Sequence, residues 1–167
     1  MGPYGATTWQ ARPMKLQPTP AQAMALLACG LLKVDDLPDV AAQWLANGMD
    51  SESLRMLAGA NHEDRDDILD LWTATVEELD IQPIPLDNRW PLIWAYEIAT
   101  WRAGERTKEQ VLRDAVEYLQ AVEYADREAD EAYVLWNLWD ELTSNYEPPR
   151  TDAEIWDDVD KYLHKFS

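Results

Sequence analysis

The stretch RWPLIWAYEIATWR, residues 89–102, places three tryptophans and a glutamate where they can act together. At about 100° per residue on a helix, Trp94 and Trp101 lie about 40° and about 20° round from Trp90. Glu97 falls about 20° to the other side, on the same face. A carboxylate on an aromatic face can receive a cation or a base, because ring faces attract positive charge and the carboxylate compensates it. Trp90, Trp94, Glu97 and Trp101 are therefore a possible ligand face for a small molecule. With Ile93 and Ile98 alongside, the same residues also form the apolar stripe of a core helix, and that is the reading the spacing favours. A core stripe requires Glu97 to meet Arg89, Arg102 or an arginine on another helix. Buried without a partner, the carboxylate would cost several kcal/mol or keep its proton.

A second aromatic set, Tyr133, Trp136 and Trp139, is interleaved with Leu135, Leu138 and Leu142. Trp139 falls with Leu135 and Leu142 on the inward stripe, which leaves Trp136 toward a flank, followed by Asp140 and Glu141. Aromatic side chains of this kind anchor protein interfaces. Near the C-terminus, EIWDDVDKYL sets Asp157, Asp158 and Asp160 around an amphipathic apolar stripe. Trp136, Asp140, Glu141, Asp157, Asp158 and Asp160 are the residues expected to bind a partner.

Charge defines what that partner is. The chain holds 32 acids and 14 bases, a net charge of −18. Residues 1–113 carry −7, whereas the shorter stretch 114–167 carries −11. Direct binding to nucleic acid or an anionic membrane is disfavoured, because both need clustered Lys and Arg. A basic protein, such as a toxin or a nucleic-acid-binding protein, fits the field.

Catalytic patterns are lacking. The two histidines, His62 and His164, stand apart in sequence, and no HExxH, GxSxG, phosphate-binding loop or Glu-x-x-His pair is present. HEDRDDILD is acidic but lacks the glycine and spacing of a calcium loop, and helix-start electrostatics explain it. No catalytic residue, metal or cofactor is expected. The single cysteine, Cys29, sits in AMALLACGLL and reads as a buried structural thiol. No apolar stretch resembles a secretion signal or a membrane span, so a cytoplasmic location is expected.

The elements that position these residues announce themselves by their ends. Thr19, Thr107 and Thr151 each stand three residues before Gln22, Gln110 and Glu154, the capping-box spacing. Gly30, Gly48, Gly59 and Gly104 follow apolar-periodic segments as helix stops. Between these signals the chain predicts helices opening near Thr19, Leu37, Ser51 and His62, then one from about Asn88 to Ala103, with Pro91 in its first turn. Residues 107–145 contain neither Gly nor Pro, and the polar ADREADE at 125–131 is the expected break between a sixth and a seventh helix. An eighth helix opens at Thr151. No strand pattern appears. The expected fold is all-α: an N-terminal arm over residues 1–18, which Trp9 can pin to the body, then a single-domain irregular bundle of seven or eight helices over 19–167, with a possible subdivision at the Pro-rich linker 81–88.

VAAQWLANGMDSESLRMLAG, Val40 to Gly59, resembles an element of uncharacterised bacterial all-helical proteins, with Ala-Ala, an aromatic or hydrophobic pair, Gly, Asp-Ser and Leu-Arg-x-Leu-Ala-Gly. In acidity, size and helical make-up the chain also resembles immunity proteins of bacterial toxin systems, a likeness of type that carries over no residue. The resemblance implies a non-enzymatic protein that occludes a basic partner. Alternatives are a DNA-mimic regulator of a nucleic-acid-binding protein and a small-molecule binder using the Trp90, Trp94, Trp101 face with Glu97.

Overall fold

A computed structural model describes residues 15–144 and 150–166. Among these the protein is all-α, with no strand. Its helices are α1 (Pro20–Ala28), α2 (Leu37–Ala46), α3 (Glu52–Ala58), α4 (Arg65–Glu78), α5 (Leu86–Arg102), α6 (Lys108–Ala121), α7 (Asp130–Thr143) and α8 (Asp152–His164). A single 3-10 turn, Val34–Asp36, leads into α2.

The helix starts follow local chemistry. Thr19, Thr107 and Thr151 each accept a bond from the N–H three residues on, and Gln22, Gln110 and Glu154 reciprocate to the cap N–H. Ser51 and Asp64 cap α3 and α4 with their side chains. The start of α5 differs from the sequence expectation. Pro85 is its N-cap and Leu86 its first residue, so Asn88 lies inside the helix and Pro91 is the sixth helical position. The linker is shortened accordingly, because prolines 83 and 85 hold extended backbone only as far as Leu86.

Helix ends use left-handed residues. Gly30, Gly48 and Gly104 take positive φ, at 72°, 92° and 72°. Gly59 ends α3 at a φ of −98°, without left-handed backbone. Two left-handed ends use no glycine. Asp80 closes α4 at φ 51°, and Glu123 and Tyr124 close α6 at 51° and 57°. At the latter end the Glu123 N–H bonds to the Gln120 carbonyl and the Tyr124 N–H to the Leu119 carbonyl, the paired bonds of a Schellman turn. Helix α6 therefore stops ahead of the polar break expected at 125–131.

Two apolar clusters result. One joins α2, α3 and α4 through Leu37, Val40, Trp44, Leu54, Leu57, Ile68 and Trp72, with Ala23 of α1. The other joins α5 to α8 through Trp90, Ile93, Leu112, Tyr118, Leu135 and Leu163, with Ala25, Leu26 and Cys29 of α1. Helix α1 thus serves both clusters, and Leu32 beyond it packs against each. Of the expected arm, residues 15–18 are described; the remainder, with Trp9, lies outside the described residues. Leu16 donates its N–H to the Glu105 carboxylate, its carbonyl accepts from Tyr96 Oη, and the Pro18 carbonyl accepts from Trp44 Nε1 at 2.8 Å. No helix among the described residues is long and apolar enough to cross a membrane.

Candidate functional site

The tryptophan face of α5 points into the protein. Trp90 and Trp94 are 2% and 7% exposed, stacked with ring centroids 5.6 Å apart. Tyr118 of α6 covers Trp90 at 4.8 Å, and Phe166 meets Trp94 edge-on at 5.2 Å. Trp90 Nε1 donates to Glu131 at 2.9 Å, whereas buried Trp94 Nε1 has no acceptor among the described residues. Trp101, half-buried, meets the His164 ring edge-on at 5.1 Å. The stripe is filled by protein aromatics on the sides where a ligand would stack.

Glu97 is only 1% exposed and faces an arginine that sequence reasoning did not single out. The partner is Arg106, in the connection after α5. Gly104 reverses the chain there, and the N–H groups of Glu105 and Arg106 both bond to the Thr100 carbonyl, at 2.9 and 3.3 Å. This tight return lays the Arg106 guanidinium over the Tyr96 ring, 5.9 Å from its centroid. Arg106 Nη1 lies 3.5 Å from Glu97 Oε2 and closer still to Asp114 of α6. The signal available in the sequence was the glycine stop itself, since a residue two places past a left-handed turn falls back over the helix it leaves.

Two carboxylates therefore share one guanidinium in a largely buried place. Arg106 is nearer Asp114, and 3.5 Å is long for a strong bond to Glu97, whose oxygens have no hydrogen-bond partner among the described residues. Burial, with the Asp114 charge adding to it, raises the Glu97 pKa to about 8, against the opposing pull of Arg106. Asp114 is also raised, chiefly by burial. At neutral pH the set is balanced as one guanidinium, one carboxylate and one carboxylic acid, the form that avoids an uncompensated buried charge.

A second polar group lies deeper in the bundle. Tyr118 Oη donates to buried Asp126, whose other oxygen accepts the Glu128 N–H at 3.1 Å. Burial and this bond to a carboxylate both raise the Tyr118 pKa. Cys29 is buried, as its apolar surroundings predict, and burial raises its thiol pKa against the influence of Arg89. The two bonds to Asp126 hold the turn after α6 back against its own helix.

The residues expected to bind a partner separate into two kinds. Glu141 of α7 and Asp158 of α8 are both engaged by Arg150, the former at 2.7 Å. Asp157 pairs with Lys161 at 2.5 Å and Asp160 with Lys108 at 2.7 Å. Asp140 is exposed, with no ion pair among the described residues, one turn after Trp136 on the same side of α7. Trp136 is half-buried and meets Tyr124 edge-on at 6.1 Å. Tyr124 is 43% exposed in left-handed backbone, and its carbonyl accepts from Tyr133 Oη at 3.0 Å. Tyr124 was not singled out from sequence; it joins Trp136 only because α6 ends early.

The chain matches no protein-family model, no curated protein and no solved structure.

Proposed function

We infer that the chain is a non-enzymatic binding protein whose acidic C-terminal helices dock a basic protein, concretely an immunity or inhibitor protein that occludes its target. The observation that carries this reading is the Tyr124–Trp136 edge contact beside Asp140, which has no ion pair among the described residues, within the stretch that holds −11 of the −18 net charge. A bulky tyrosine held left-handed and partly exposed stores strain, which clusters where a surface has a task. The negative field steers a basic partner inward, and the aromatic pair supplies desolvated contact and ring faces for Lys or Arg. Glu141, Asp157, Asp158 and Asp160 are each engaged by a cation of the same chain, which favours a patch centred on Trp136 and Asp140 over a phosphate-like ridge of free carboxylates.

The test is capture from a host extract, identification of the bound protein, and measurement of its association rate between about 50 and about 500 mM NaCl. A basic partner whose on-rate falls at least about tenfold, and whose dissociation quickens with Trp136→Ala, meets the expectation. An acidic partner or a salt-independent rate overturns it. Displacement by duplex DNA would identify the occluded surface as a nucleic-acid site, the DNA-mimic form of the same reading.

A further inference from the structure

A cleft of about 300 Å³ is lined by residues of α1, α2, α5 and the start of α6, with Arg106 among them. Arg106, Tyr96, Asp36, Asp39, Leu31 and Leu32 are among the residues that line it. Arg106 spends Nη1 on Asp114 and Glu97, which leaves Nε and Nη2 without an acceptor among the described residues. Asp36 stands at the N-cap of α2 but makes no capping bond, and Asp39 has only exposed His62 near it, at 3.8 Å. Glu105, also at the rim, is already committed to the Leu16 N–H through both oxygens. Among the described residues the cleft therefore offers a pair of guanidinium donors without an acceptor and two exposed carboxylates, Asp39 with only His62 near it, together with apolar surface.

We propose that this cleft binds a small zwitterion of the α-amino-acid class, its carboxylate on Arg106, its ammonium at Asp36 and Asp39, and an apolar side chain over Leu31 and Leu32. Arginine's planar fork matches a carboxylate in two-point contact. A simple anion would approach against Asp36, Asp39 and a net charge of −18. A simple cation would meet Arg106, with Lys15 at the rim, and leave the guanidinium donors unanswered. A zwitterion satisfies both ends and carries no net charge into the field. The volume is about ten times the roughly 30 Å³ share of one water, room for an amino acid of moderate size. This site is separate from the Trp136 surface, and its test stands or falls without the basic partner.

The experiment is titration calorimetry of the full chain with L-leucine, N-acetyl-leucine and leucinamide as probes, each up to about 10 mM. The expected result is binding of L-leucine, with each single-charge derivative at least about tenfold weaker. In Asp36→Asn/Asp39→Asn, a surface double variant expected to fold, L-leucine weakens about tenfold while N-acetyl-leucine is unchanged. In Arg106→Lys, which keeps the charge and loses the fork, both L-leucine and N-acetyl-leucine weaken. Absence of heat with leucine and with every other common amino acid overturns the proposal, as does equal affinity for leucine and either derivative.

Discussion

At the scale of single residues the decisive feature is a buried acid that keeps its proton. Glu97 has an ordinary carboxyl value of 4.5 and a folded value of about 8. A raised folded value means the native state binds the proton more tightly, so this contribution is fully present below about pH 4.5 and is lost as pH rises toward about 8. Urea unfolding at intervals across that window is expected to show wild type losing stability relative to Glu97→Gln, by up to a few kcal/mol, with the difference levelling off above it. A constant difference at all pH values would mean that Glu97 is ionised throughout. Removing the guanidinium has another consequence. Arg106→Met leaves the largely buried Asp114 carboxylate without its cation and should cost roughly 3–5 kcal/mol, whereas Asp114→Leu/Arg106→Met should recover a large part of that loss, because the buried charge disappears with its partner. Thermal melts of the single and double variants at neutral pH measure the coupling. Equal melting temperatures for Arg106→Met and the double variant would deny that Asp114 and Arg106 act as a pair.

At the scale of elements, the helix ends decide where those residues go. Gly104 turns the chain left-handed so that Arg106 returns over α5, and a Cβ there meets nothing within 4 Å. Gly104→Ala should therefore cost about 1 kcal/mol through backbone conformation alone. Glu123 occupies the equivalent place at the end of α6 with a side chain, so Glu123→Gly is expected to stabilise by about 1 kcal/mol. Denaturant midpoints at constant slope read both, and a destabilised Glu123→Gly would mean that its side chain contributes more than its backbone costs. This contrast also explains what was legible in sequence. The Thr19, Thr107 and Thr151 boxes and the Gly48 and Gly104 stops act within a few residues, so the chain displays them directly. The inward stripe of Trp90 and Trp94 was likewise readable from its period. The end of α6 was hidden because tertiary contacts, Tyr124 against Trp136 and Tyr133 Oη on its carbonyl, hold residues there that do not favour left-handed backbone. Glu97's partners were hidden for a related reason. Arg106 arrives through a turn and Asp114 from the next helix, and no local spacing brings the three together.

At the scale of the whole molecule, a net charge of −18 sets repulsion within the folded protein against attraction to a basic partner. Salt screens both, with opposite effects. The ion pairs that salt would weaken include Arg150 with Glu141 and Asp158, Lys161 with Asp157, Lys108 with Asp160, and Arg55 with Asp50. These pairs are wholly or partly open to water, where a pair is worth about 1 kcal/mol or less. The repulsion among 32 acids is spread over the surface, and its long-range part is what the ionic atmosphere removes first. Repulsion therefore outweighs pairing, and stability in urea should rise as NaCl goes from about 20 to about 200 mM, by on the order of 1 kcal/mol. Over the same range, association with a basic partner should slow. The two trends are measured on one protein in one buffer series, and their opposition is the signature of a shared field. Flat or falling stability would show that the pairs around α7 and α8 outweigh the repulsion. A rising stability with an unchanged association rate would place the field's effect in solubility rather than in recognition.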